Sequence, residues 1–240
     1  MAVHEGVAAA LFRPVRTRNA FEETVERLLQ AIRLGVAGPG ERLPSERDLA
    51  ARLCVSRATL RDAIRAIADA GYVESRRGRY GGTFVAVTLP GPLPPPAPGG
   101  DVEDVLTLRR VLESGAAEAA AARALTPADR RHLTAALLDV SDVSEMDTVD
   151  AVDYRRRDSR LHLAIAEVTA SPSLTTEVAD VRSRVNGLLD AIPLLAVNIE
   201  HSNAQHRSIV DAILAGDPAA ARQAMDEHLD GTAALLRGFL

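Results

Sequence analysis

Residues 89–100 read LPGPLPPPAPGG, with six prolines and three glycines in twelve positions. Proline lacks the backbone N–H and fixes φ, so this stretch can be neither a regular helix nor a central strand. It should be a partly stiff, polyproline-like spacer. It therefore divides the chain into a first domain, residues 17–88, and a second, residues 101–240, with residues 1–16 as a tail. A chain of 240 residues is long enough for two domains and a sizeable core. Charge divides at the same place. Residues 1–88 carry 14 Arg and 10 acidic residues, a net of +4, and residues 89–240 carry 14 Arg and 23 acidic residues, a net of −9. A basic part joined to an acidic part points the first domain alone toward a polyanion.

Aromatic residues are scarce: four Phe, three Tyr and no Trp. The core must be Leu, Val, Ile and Ala, the palette of a helical bundle. No run approaches the roughly 20 apolar residues of a membrane span. The single cysteine, Cys54, leaves no internal disulfide and suits a reducing, cytoplasmic compartment. In the N-terminal segment an acidic residue, Glu5, sits where an export signal would be basic, so the segment reads as a tail.

After the spacer the period is helical almost to the end. Helices are expected over 101–125, 127–139, 147–170, 173–190 and 198–215, with a sixth opening at Pro218. Thr126 and Asp217 precede Pro127 and Pro218, which places a capping residue just before a proline in the first helical turn. The connections are short, as in an antiparallel bundle. The fold class expected is mainly α: an N-terminal winged helix-turn-helix and a C-terminal bundle of six helices, seven at most.

The first domain carries the argument for DNA. FEETVERLLQAIRLG reads as a first helix and LPSERDLAARL as a second, with Ser45 as its cap. Ser56 caps a third, SRATLRDAIRAIADAG, whose apolar stripe is Leu60, Ala63, Ile64 and Ile67. Arg57 and Arg61 lie on a different face, at its start. A helix, a turn and a capped helix with polar residues at its N-terminal end form the arrangement whose second helix enters the major groove. GYVESRRGRYGGTFVAV follows as two strands joined by a basic turn around Gly78, suited to a phosphate or a minor groove.

The stretch PSERDLAARLCVSRATLRDAIRAIADAGYVESRRGRYGGTFV resembles the winged-helix domain of GntR-family bacterial transcription regulators. The resemblance implies operator DNA contacts at Arg47, Arg57, Thr59, Arg61, Arg77 and Gly78. Two positions depart from the family pattern. Cys54 stands where Gly is usual in the turn, and Ala58 replaces a frequent hydroxyl residue.

Three of the six histidines fall on apolar stripes. His162 shares a face with Leu161 and Ile165, His206 with Ile209, Val210 and Ile213, and His228 with Ala221, Met225 and Leu229. Asp158 lies one turn before His162. A lone inward histidine is ordinarily a hydrogen-bonded core residue, and Asp158 with His162 could be a simple (i, i+4) pair. Three inward histidines and a carboxylate would be costly to desolvate unpaired. A divalent transition metal would accept all four lone pairs: Zn first, with Ni, Mn, Fe and Co as alternatives.

Residues 101–240 resemble the all-helical FCD effector domain of the FadR-type branch, through LRRVLESGAAEAAA, DSRLH and HRSIVDAILAGDPAAARQAMDEHL. Six helices suit its VanR-like subgroup. The resemblance implies a metal on Asp158, His162, His206 and His228, a small organic acid as effector, and a homodimer. By helical phase Arg109, Arg182 and Asn186 are candidates to bind the acid. The expected function is a DNA-binding regulator, a repressor in the first instance, that answers to a carboxylate metabolite. A metal-ion sensor is the alternative. A metallohydrolase is disfavoured: no HExxH motif is present, and a DNA-binding domain is attached.

Overall fold

The computed structural model describes residues 19–33, 37–76, 78, 81–90, 102–142 and 151–240. The expected tail, most of the proline-rich spacer and Arg77 lie outside the described residues. The chain forms two compact units, Met1–Pro95 together with Gly231–Leu240, and Pro96–Asp230.

In the first unit, helices α1 (Ala20–Arg33), α2 (Glu46–Leu53) and α3 (Arg57–Asp69) precede strands β1 (Val73–Arg76) and β2 (Gly82–Val85). The caps read from sequence form. Ser45 Oγ accepts from the Asp48 N–H at 3.2 Å, and Ser56 Oγ from the Thr59 N–H at 3.0 Å. Cys54 ends α2 in the left-handed region, at φ 55° and ψ 38°. A Cβ there costs roughly 1–2 kcal/mol relative to glycine, so the turn keeps the backbone conformation that glycine would adopt freely. The strands pair antiparallel from Val73↔Val85 to Arg76↔Gly82. The segment before α2 extends the sheet: the Leu43 N–H donates to Thr83 O at 2.8 Å and the Val85 N–H to Glu41 O at 2.9 Å. Leu60, Ala63, Ile64 and Ile67 are buried as their spacing predicts.

The second unit contains α4 (Val102–Ala121), α5 (Pro127–Ser141), α6 (Ala151–Glu167), α7 (Pro172–Leu189), α8 (Ala196–Ala215) and most of α9 (Pro218–Phe239). The six expected helices are all present. The first is shorter than expected, ending at Ala121 rather than 125, because the Arg123 N–H bonds back to Ala120 O and tightens the last turn. Pro193 falls in the connection between α7 and α8. Thr126 and Asp129 form a reciprocal capping box at α5. The core combines Ala116, Ala117 and Ala120 of α4 with Leu161, Ile165, Ile209, Val210, Met225 and Leu229. Small alanines on α4 let its neighbours approach closely.

The expected second domain, residues 101–240, and the second compact unit differ in the last ten residues. Gly231–Leu240 belong to the first unit. There the Phe239 ring meets Tyr72 edge to face, centroids 6.2 Å apart. Gly238 lies so close to α1 that a Cβ would sit 3.1 Å from the Glu26 Cα. Ala233, Ala234, Leu235 and Leu236 are buried in the same segment.

Candidate metal centre and nucleic-acid interface

Helices α6, α8 and α9 each turn polar side chains inward. One oxygen of Asp158 and one nitrogen each of His162, His206 and His228 all lie within 4.8 Å of one another. All four residues are buried, His206 completely. Asp158 Oδ1 is 3.1 Å from His206 Nε2 and 3.8 Å from His162 Nε2. The imidazole centroids are 4.5–5.6 Å apart. The Nε2 atoms of all three histidines are buried without a hydrogen-bond partner. Three such nitrogens beside one carboxylate fit the donor set of a divalent transition metal.

The surroundings fix the ionisation states. Burial lowers the His162 pKa, against the pull of Glu113. Burial and the two neighbouring imidazoles hold His228 well below the usual histidine range. Both rings are therefore neutral, with a lone pair to offer. Burial would raise the Asp158 pKa, but Arg182 and the facing histidines outweigh it, and the carboxyl stays well below its usual range. Glu113 behaves alike: burial opposes ionisation, yet Arg109, His162 and Arg182 bring its pKa to about 2.

A second layer orients these groups. Glu113 Oε2 lies 2.7 Å from His162 Nδ1, and Gln205 Oε1 lies 3.3 Å from His228 Nδ1. An acceptor beside Nδ1 favours the tautomer that leaves Nε2 free for a metal. Arg109 Nε is 3.4 Å from both Glu113 oxygens. Arg182 Nη2 donates to Asp158 Oδ2 and, at 3.2 Å, to Ser159 Oγ. Asn186 Nδ2 donates to the same Ser159 hydroxyl at 3.0 Å.

Arg182 and Asn186 thus lie beside the cluster, while Arg109 reaches it through Glu113. Sequence reasoning missed Glu113. Its signal was its place one turn after Arg109 on an alanine-rich helix. Tyr154 and Asn203, one turn from Asp158 and His206, were also missed; both are buried. Burial, with Asp158 nearby, pushes the Tyr154 hydroxyl up, so it remains a neutral donor.

Of the expected DNA contacts within the described residues, Arg47, Arg57, Arg61 and Gly78 are exposed and Thr59 is half-buried. Arg47, in the first turn of α2, is 84% exposed and pairs loosely with Asp48 at 3.5 Å. Arg57 is exposed at the start of α3. The Thr59 hydroxyl lies 2.8 Å from Ser56 Oγ, so it belongs to the cap. Arg61 Nε donates to Glu46 Oε2 at 3.0 Å. Gly78 has φ +106° with open space around it, which suits a tip that must approach a ligand closely.

Residues 21–85 match the profile of the bacterial regulatory proteins of the gntR family, and residues 104–231 match the FCD domain. The chain belongs to the GntR family, with a C-terminal FCD domain. It is 32% identical over 231 residues to the HTH-type transcriptional repressor NanR of Cronobacter sakazakii, covering 91% of this chain and 85% of that protein. It is 31% identical over 240 residues to NanR of Escherichia coli K12, covering 95% and 88%. The solved structure of E. coli McbR/YncC shares the fold at 19% identity, with a TM-score of 0.51 over 90% of this chain and 96% of that one. This GntR-family protein is a DNA-binding transcriptional regulator and not an enzyme. No helix among its described residues is long and apolar enough to cross a membrane.

Proposed function

We propose that this GntR-family protein is a cytoplasmic repressor that binds operator half-sites as a homodimer. A small carboxylate metabolite modulates that binding through a divalent transition metal on Asp158, His162, His206 and His228. The observation that carries the reading is the charge balance of the buried shell. Asp158 and Glu113 oppose Arg109 and Arg182, all four are buried, and the two formal charges of each sign cancel. The cation, when bound, supplies a Lewis-acidic positive charge facing the bundle interior. With neutral imidazoles around it, this surplus would be uncompensated in a low-dielectric setting. An anion from solvent is the natural complement.

The chain offers that anion polar contacts. Arg182 Nε and Nη1 and Arg109 Nη1 are buried donors without hydrogen-bond partners. Arg182 holds Asp158, and Asn186 shares Ser159 with it, so an acid drawing on Arg182 would also act on a metal ligand. Arg47, Arg57, Thr59, Arg61, Arg77 and Gly78 would face the operator, with α3 in the major groove. The repressor role is supported by the similarity to the repressor NanR.

The test combines metal analysis of dialysed protein with thermal melts against citrate, lactate and malonate. Retained metal, and a melting temperature raised by an acid only in metal-loaded protein, is the expected result. Equal shifts in chelated protein would sink the effector site. Metal lost on dialysis, with operator affinity following the ion alone, would make the ion itself the signal.

A further inference from the structure

The first unit contains a cleft of about 410 Å³ where the start of α2 faces β1 and β2. Arg42, Arg47, Arg57 and Arg76 all line it. Its acidic residue is Glu46, whose Oε2 already accepts from Arg61. Arg42 and Arg57 form no ion pair among the described residues. Arg47 and Arg76 each have a carboxylate at 3.5 Å, so Arg42 and Arg57 carry the cleft's uncompensated positive charge until an anion enters.

Two of these arginines are held in place by the sheet. Arg42 lies on the bare backbone of Gly82: a Cβ there would sit 2.4 Å from its Nε and 3.1 Å from its Cζ and Nη2. Gly82 has φ +151°, a conformation that side chains rarely adopt. Glycine at this position both permits the backbone and leaves room for the guanidinium. Arg76 stands opposite Gly82 in the strand register, its Cζ 4.4 Å from the Phe84 ring centroid, with Glu74 Oε2 at 3.5 Å from its Nη2. Stacking on an aromatic ring and packing on a glycine both pre-order a guanidinium, so less entropy is lost when it binds.

We propose that this cleft seats a phosphodiester of the DNA backbone, with Arg42 and Arg76 as its anchors. The inference rests on the DNA-binding role of the first unit; it adds Arg42 to the contacts expected from sequence and assigns Arg76, part of the expected basic wing, a backbone phosphate. A planar guanidinium binds phosphate oxygens through paired N–H donors. Such contacts set register and affinity but read no bases. Arg42 and Arg76 therefore act on every DNA sequence alike, unlike a residue that contacts a base edge.

The experiment uses full-length Arg42→Ala, Arg76→Ala and Arg42→Lys proteins. Each is titrated with a duplex selected from a random library and with unselected duplex, over a range of KCl. Both alanine variants should lose the same factor on the two duplexes. The slope of log affinity against log salt should flatten by about one for each. Arg42→Lys should keep the wild-type slope, and circular dichroism should show each variant folded. Arg76→Ala keeps the test decisive if Arg42→Ala loosens the sheet. Unchanged slopes in both, or a loss confined to the selected duplex, would overturn the proposal. So would a melting shift by inorganic phosphate that Arg42→Ala abolishes while the DNA slope stays at wild type, since the occupant would then be a free anion.

Discussion

Arg182 donates to one oxygen of the Asp158 carboxylate, while the other oxygen faces His206 Nε2 at 3.1 Å. A single buried carboxylate is thereby divided between an arginine and the histidine cluster. Replacing Arg182 with Met leaves the Asp158 carboxylate buried without its cationic partner. Removing one partner of a buried pair costs about 3–5 kcal/mol. The loss should be smaller in metal-loaded protein, where the cation takes over the compensation. Urea unfolding with and without chelator measures both, and equal losses would separate Asp158 from the metal.

His206 is fully buried and supplies one of the three unpartnered Nε2 atoms. His206→Ala should reduce bound metal in purified, dialysed protein to well below one ion per chain. Elemental analysis reads the content directly. Occupancy at the wild-type level would rule out the four-ligand site.

Glu46 accepts from Arg61 Nε, and in the proposed operator complex the two terminal nitrogens of that guanidinium would meet a guanine edge. Glu46→Ala should loosen Arg61 and reduce discrimination between operator and unselected DNA. Arg61→Ala should weaken operator binding by about 1–3 kcal/mol, the worth of a lost bidentate base contact. The salt slope should hardly move in Glu46→Ala, which distinguishes it from the phosphate anchors. Unaltered discrimination in both variants would take Arg61 off the recognition surface.

Phe239 packs on Tyr72 inside the first unit. Phe239→Ala should destabilise that unit by about 3–5 kcal/mol, as for other buried aromatic truncations. Hydrogen exchange should show the loss in α1 and α3, with metal binding retained. Protection lost first around His162 would contradict the assignment.

Much of this architecture was legible because its causes are local. Caps at Ser45, Ser56 and Thr126, prolines in first turns and an apolar stripe on α3 act within a few residues. The histidine cluster was legible because polar residues on apolar stripes have few inexpensive explanations. Glu113 was not, since an acidic residue beside Arg109 on an alanine-rich helix reads equally as a surface pair. Arg42 was not, because its placement depends on Gly82, far along the chain. Nor does periodicity say which unit buries the apolar residues after Asp230, as the helix continues unchanged.

That last point bears on how the protein is made. Residues 231–240 complete the core of the first unit, yet they leave the ribosome long after β2. Domains that precede others in the chain ordinarily fold first during synthesis. Here the DNA-binding head lacks part of its core until translation reaches Phe239. The first unit therefore reaches its full core only once the helix that also carries His228 has been made.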